Sequence, residues 1–132
     1  MSDGEGVRIF KLKAFARFQL RERIADKALA KAIDNAEAGI IDADLGGGII
    51  KQRVARPGQG KSGGFRTVIA YRHGVRAVYL FGFAKSERAN LDDHELAYWQ
   101  QIGRDFLALN EKVLEVALAA DELSEVKDGD ET

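Results

Sequence analysis

Three segments in the middle of the chain, 49–55, 65–72 and 76–84, are rich in valine, isoleucine, tyrosine and phenylalanine. These residue types favour a pleated, half-buried surface, so each segment is predicted to be a β-strand. His73-Gly74 separates the last two segments, and a glycine there suits the positive φ of a tight hairpin turn. We therefore expect a mainly antiparallel sheet at the centre of the fold.

Apolar residues at helical spacing flank these strands. Before them, a short strand at 7–13 is predicted to lead into a hairpin of two helices, at about 14–24 and 27–38. Asp26 is the predicted N-cap of the second helix, and Gly39 stands where a glycine commonly ends one.

After the strands, Asp92 and Glu95 approximate a capping box, which predicts a helix at 92–109. Apolar residues from Val113 to Leu118 indicate one more helix, and the last residues, KDGDET, are expected to be disordered. The order of elements predicts an α+β fold. In it, an N-terminal strand and a two-helix hairpin pack on a mainly antiparallel sheet of about four strands, followed by one or two C-terminal helices.

Length and composition favour one domain in the cytoplasm. The chain has 132 residues, enough to build a single hydrophobic core that needs no disulfide or metal ion for stability. It has no cysteine, which excludes disulfides and thiolate zinc sites and favours an intracellular address. No apolar run approaches the ~20 residues that span a bilayer, and the N-terminus lacks the apolar core of a signal peptide. We expect a soluble, cytoplasmic protein without membrane contact.

Charge is distributed unevenly, although the chain as a whole carries a net charge of −1. Residues 1–110 carry +5 and residues 111–132 carry −6. We therefore expect a main domain at 1–110 and an acidic helical or disordered extension at 111–132. Residues 49–88 contain one acid and nine cations: Lys51, Arg53, Arg56, Lys61, Arg66, Arg72, Arg76, Lys85 and Arg88. Such a block attracts polyanions, although solvated strand faces alone would also carry these charges.

Other patterns give weaker support for chemistry. Gly60-Lys61-Ser62 resembles the end of a phosphate-binding loop, but Ala55 stands where that motif needs a glycine and a strand follows instead of a helix. The acids and the histidine at 87–95 are better explained as the capped start of a helix than as a metal site. Two isolated histidines give little support to a histidine-dependent nuclease. No cofactor is expected.

The cations themselves are the strongest candidates. Residues two apart on a strand share a face, so Lys51 and Arg53 point the same way. Arg66 joins them if its strand pairs beside theirs, and Lys85 and Arg88 follow the next strand at the rim of the sheet. Cations gathered on one face repel each other, and binding a phosphodiester would relieve that repulsion.

Three segments carry a resemblance to a known family: KSGGFRT (61–67), VYLFGFAKSERAN (78–90) and IDADLGGGIIKQRVARPG (41–58). They resemble the RelE-like branch of the RelE/ParE superfamily, the toxin halves of bacterial type II toxin–antitoxin pairs. The likeness covers about residues 7–109 and implies the fold predicted above, with 1–110 as the toxin domain. It also implies a cognate antitoxin partner.

The resemblance further implies an endoribonuclease that cuts messenger RNA in the ribosomal A site without a metal ion. The 2′-hydroxyl attacks the neighbouring phosphate and leaves a cyclic phosphate end. Carried over by position, the catalytic residues are Lys51, Arg53, Arg66, Lys85 and Arg88.

Roles for these residues follow from their chemistry. A lysine acts as a base when neighbouring cations disfavour its charged form, and Lys51 is the candidate. The arginines would stabilise the charge on the phosphorane, and Lys85 or Arg88 would assist the leaving 5′ oxygen. Arg56, Lys61 and Tyr71 are candidates for RNA contact. Tyr71, Phe65 or Tyr79 would stack on a base if it faced the site, although core packing explains each of the three better.

Two features depart from the family pattern. Some relatives carry a tyrosine just beyond the K-x-E-R arginine, where this chain has Asn90-Leu91-Asp92. The acidic segment 111–132 is either a solubilising extension or a cover for the basic block. In the second case its deletion would tighten RNA affinity.

Two other functions remain open at this stage: a ParE-like inhibitor of DNA gyrase, or a catalytically weak relative that mainly binds its antitoxin. Retention of the five cations favours RNA cleavage. The sequence does not indicate the oligomeric state.

Overall fold

The computed structural model describes residues 6–56, 60–84 and 90–127, with backbone only at 60–63. Its elements in chain order are β1 (Arg8–Leu12), α1 (Lys13–Arg21), α2 (Asp26–Glu37), β2 (Ala43–Gly46), β3 (Ile49–Arg56), β4 (Gly60–Arg72), β5 (Arg76–Ala84), α3 (Asp93–Leu107), α4 (Glu111–Ala119) and β6 (Leu123–Glu125). The α+β class is confirmed.

One sheet of six strands, in the order β2-β3-β4-β5-β1-β6, forms the centre of the described residues. β1 runs parallel to β5, and every other neighbouring pair is antiparallel. The expected number of about four strands was too low because β2 and β6 are short and lack a strand-like pattern. β2 forms because it pairs with β3, and β6 forms because it pairs with β1.

Side chains on the two faces of the sheet build two separate cores. Alternation along the strands sends Ile50 and Ile69 to one face, where they pack with α1 and α2. It sends Ile49 and Val68 to the other face, where they pack with α3 and α4. We call these the α1/α2 face and the α3 face.

Helix caps agree with the sequence at one helix and differ at another. The capping box of α3 is confirmed, because Asp92 and Glu95 each accept a hydrogen bond from the other's backbone amide. Gly39 ends α2 with a φ of 88°, and Gly74 turns the β4–β5 hairpin with a φ of 72°. The prediction of Asp26 as an N-cap was wrong: Ala25 is the N-cap, and the Asp26 carboxylate instead binds Lys11 and Gln19.

Residues 111–127, treated above as an extension, contribute α4 and β6 to the fold. Leu114 and Leu123 are buried in the core on the α3 face, and β6 adds a strand beside β1. The predicted disorder at the C-terminus concerns 127–132: Lys127 is described, with its backbone amide donating to Asp26 Oδ2, and 128–132 lie outside the described residues. In the part of the chain that the structure describes, no helix has the length and apolar character needed to cross a membrane.

Candidate functional site

Lys51, Arg53 and Arg66 lie on the α3 face of the sheet. On β3, Lys51 and Arg53 alternate with residues that pack toward α2. On β4, Arg66 precedes Val68 by two residues and shares its face. The register places Arg53 directly opposite Arg66 and Lys51 opposite Val68. The pairing of β3 with β4 therefore brings Arg66 onto the same face as Lys51 and Arg53, which precede it by 15 and 13 residues.

Lys51 reaches from the sheet to the segment before α3. Its Nζ donates a hydrogen bond of 2.8 Å to Oδ1 of Asn90, a residue 39 positions away in the chain. Within the described residues, Lys51 has no carboxylate at ion-pair distance. Asn90 stands where some relatives carry a tyrosine, and nothing local in the sequence indicates this contact.

Arg66 has an unsatisfied donor. Its Nη1 is buried and has no hydrogen-bond partner among the described residues. Most buried polar atoms in folded proteins are paired, and an unpaired donor on a cationic group costs about 1–3 kcal/mol or more. An anionic oxygen on this face would satisfy it once the guanidinium turned toward solvent.

Arg53 is held at the edge of the sheet by Asp42. The backbone amide of Arg53 donates to Asp42 Oδ2 over 2.6 Å, and its Nε lies 3.5 Å from Asp42 Oδ1. The buried Gln52 fixes this arrangement: its Nε2 donates to the carbonyls of Ala32 and Ile40, and its Oε1 accepts from the Asp42 amide. A glutamine at an inward position of an apolar strand is the signal that sequence reasoning missed.

Other cations of the basic block serve the fold. Arg56 lies on the α1/α2 face, 4.8 Å above the Phe65 ring and 3.8 Å from Glu22. Arg72 and Arg76 donate to backbone carbonyls at the C-terminal end of α3. The structure therefore does not bring Arg56 together with Lys51 and Arg66.

Three sequence candidates fall outside the described side chains. Lys61 lies within β4, where only the backbone is described. Lys85 and Arg88 lie in the segment 85–89, which is outside the described residues. That segment connects Ala84 at the end of β5 to Asn90, whose side chain contacts Lys51.

Tyr71 lies on the α1/α2 face, opposite Lys51 and Arg66. Its hydroxyl donates to Glu37 over 2.5 Å, and burial together with this carboxylate raises the pKa of Tyr71 above its usual value. Phe65 and Tyr79 are fully buried in the same core, as the interpretation of core packing predicted. The candidate stacking residues named from the sequence therefore point away from the cations.

A different set of aromatic residues shares the α3 face with the cations. The register slips by one residue between Val68 and Ile69, so that Phe81 pairs with Val68 and Phe83 with Arg66. Phe81 stacks on Trp99 of α3 with ring centroids 5.6 Å apart, and Tyr98, which is 58% exposed, meets the edge of Trp99. Rings of this kind are surfaces on which unpaired bases stack.

The acidic segment lies at the opposite edge of the sheet. β6 is four strand spacings from β3, or about 19 Å. There Glu111, Glu115 and Glu125 pair with Arg8 of β1. Glu111 also lies 3.5 Å from Nη2 of Arg76, so the described part of the segment contacts the basic block at that residue. It lies away from Lys51, Arg53 and Arg66, and in the described residues the hypothesis of a covering tail therefore fails at these three cations.

The arrangement suits an anion that binds on the α3 face over β3 and β4, beside the segment that precedes α3. Lys51 supplies an amine, Arg66 supplies an unpaired guanidinium donor, and Arg53 adds charge from the edge. Guanidinium groups match the oxygens of a phosphate in geometry and charge.

Comparison with known protein families gives one match. The family described as the RelE toxin of the RelE/RelB toxin–antitoxin system matches residues 7–126, a range that includes α4 and β6. No curated protein matches the chain. The chain therefore belongs to the RelE toxin family of toxin–antitoxin systems.

Proposed function

We propose that this toxin is a metal-independent endoribonuclease that cleaves messenger RNA in the ribosomal A site. The observation that supports this most is the buried, unpartnered Nη1 of Arg66 on the same face as Lys51. A fold with no ligand for that face would be expected to pair the donor internally, as proteins do for most buried polar atoms.

The proposed reaction is an internal phosphoryl transfer. Lys51 in its neutral form takes the proton of the 2′-hydroxyl as that oxygen forms a bond to the adjacent phosphorus. The bond from phosphorus to the 5′ oxygen breaks, and Lys85 or Arg88 assists its departure: the ammonium group of Lys85 donates the proton that this oxygen requires, while Arg88 would stabilise its negative charge. The products are a 2′,3′-cyclic phosphate and a free 5′-hydroxyl.

Positive charge provides the transition-state stabilisation. The phosphorane carries more negative charge on its equatorial oxygens than the ground-state diester does, so donors aimed at those oxygens lower the barrier. Arg66 is suited to this role because its Nη1 is unpaired, and Arg53 contributes charge while Asp42 holds its position. Phe81, Trp99 and Tyr98 supply an aromatic surface on the same face for an unpaired base.

Lys51→Met and Arg66→Met test the proposal, because methionine keeps much of the length of each side chain without its charge. Each variant should reduce cleavage of a translated message about 100-fold or more, the range expected for a general base or an oxyanion donor. Primer extension on a translated message after induction measures the cleavage. Lys31→Met and Arg17→Met, exposed cations of α2 and α1, are the matched controls.

Two results would overturn the proposal. Breaks that persist at the wild-type level in folded Lys51→Met and Arg66→Met would remove the assigned machinery. Supercoiling defects in the absence of RNA breaks would indicate a gyrase inhibitor instead. Circular dichroism establishes that each variant is folded.

A further inference from the structure

The two residues that follow Asn90 are both engaged in the fold. Leu91 packs against the core on the α3 face, and Asp92 closes the capping box of α3. Asn90 therefore lies just before the capped start of α3, where its Oδ1 accepts the 2.8 Å hydrogen bond from Lys51 at the solvent-exposed surface. No other hydrogen bond of the Lys51 amine is found among the described residues.

We propose that Asn90 is a positioning residue that orients the Lys51 amine for proton abstraction. This inference rests on the proposed function and adds to it a residue that no local pattern assigns. Holding Nζ against Asn90 restricts a long side chain that otherwise has many rotamers available to it.

The chemistry favours a neutral acceptor at this position. A neutral lysine has two N–H bonds and one lone pair, and donating one N–H to Oδ1 restricts rotation of the amine. The lone pair is then presented over a narrow range of directions. A carboxylate in the same place would also orient Nζ, but it would stabilise the ammonium ion and withhold the base.

The charged groups around Lys51 fit this reading. Arg53 on its own strand and Arg66 on β4 share its face. At the start of α3, Asp92 and Glu95 each accept from the other's backbone amide, so both carboxylates take part in capping the helix. A neutral amide is thus the group that directly meets the amine.

Asn90→Asp and Asn90→Leu separate orientation from charge. Acetic anhydride labelling of the RNA-free protein, read by mass spectrometry, reports the reactivity of the Lys51 amine without any need for catalysis. Asn90→Asp should slow Lys51 labelling about tenfold near neutral pH and shift the pH–rate profile of cleavage about one unit to higher pH. Asn90→Leu should reduce cleavage about tenfold at every pH without shifting the profile.

Asn35→Asp on α2 is the matched control, and the exposed Lys112 of α4 is the internal reference for labelling. Equal labelling of Lys51 in Asn90→Asp and the wild type overturns the inference, even in a chain that cleaves messenger RNA. So does an unshifted cleavage profile in a folded Asn90→Asp variant. If instead Asn90→Asp suppresses labelling while the wild type cleaves no RNA, the contact is supported and the proposed function fails.

Discussion

Gly64 lies against the backbone of β3 more closely than any other residue type could. A Cβ atom built at this position would be 2.1 Å from the carbonyl oxygen of Val54. The neighbouring stretch of β3 contains an irregularity between Val54 and Arg56, where the pairing with β4 shifts. This close approach explains the glycine that precedes Phe65-Arg66 and links it to the placement of Arg66.

Gly64→Ala should destabilise the protein by about 1–3 kcal/mol, because the added methyl group would overlap the Val54 carbonyl of the neighbouring strand. Urea denaturation measures the loss of stability. Gly6→Ala is the control, since a Cβ at that exposed position meets nothing within 4 Å. Equal stability of the two variants would contradict the argument from close approach.

At the scale of elements, α3 crosses the α3 face and makes a separate contact at each of its ends. Its N-terminus begins beside Asn90, and its C-terminal end receives Arg76 from β5. Arg76 is buried, and its Nη1 donates to the carbonyls of Phe106 and Leu109 over 2.9 Å each. A cation at the C-terminal end of a helix satisfies unpaired carbonyls and complements the helix dipole.

Arg76→Met should lower the free energy of unfolding by about 3 kcal/mol, since it leaves buried carbonyls without donors. Arg72→Met is the matched control: Arg72 is exposed and makes one 3.3 Å contact with the Leu107 carbonyl, so we expect less than about 1 kcal/mol. Chemical denaturation of both variants decides the matter, and an equal loss in the two would show that burial of Arg76 is unimportant.

At the scale of the described molecule, the candidate site and the acidic segment lie at different sides of the sheet. Lys51, Arg53 and Arg66 lie toward the β3 edge, while the acids of α4 and β6 lie beside β1 at the other edge. The net charge of −1 therefore does not prevent the region around these three cations from attracting a polyanion.

A second set of contacts ties distant parts of the chain together. The Asp26 carboxylate accepts from Lys11 of β1, from Gln19 of α1 and from the Lys127 amide near the C-terminus. Burial acts to raise the pKa of Asp26, but these hydrogen bonds outweigh burial and the pKa lies below its usual value. The pKa of Glu37 is lowered in the same way, by Tyr71 and the Gly74 amide against the effect of burial.

Stability should therefore fall with acid. A carboxylate whose folded pKa is depressed contributes stability above its unfolded pKa of about 4, and this contribution is lost as the pH falls through the folded pKa. Asp26→Asn should be less stable than the wild type at pH 7 and should lose less stability between pH 5 and pH 3. Thermal unfolding across this range measures both effects, with Asp105→Asn on the exposed side of α3 as control. A wild-type acid profile in Asp26→Asn would contradict the prediction.

Local patterns in the sequence were sufficient for several features. Alternation placed Lys51 and Arg53 on one face, because a strand has a period of two whatever it pairs with. The spacing of Asp92 and Glu95 predicted the start of α3, since a capping box is completed within four residues. Membership of the RelE toxin family was likewise readable from three short segments.

Contacts between residues far apart in the chain were decided only by the tertiary structure. The face on which Tyr71 lies, the pairing of Lys51 with Asn90 and the strand status of Leu123–Glu125 each depend on a partner dozens of residues away. Asp26 was misjudged for the same reason, because its partners include Lys11 on β1 rather than only its own helix. Sequence determines local periodicity and caps, whereas the register and packing of strands determine which side chains meet, and those are properties of the whole sheet.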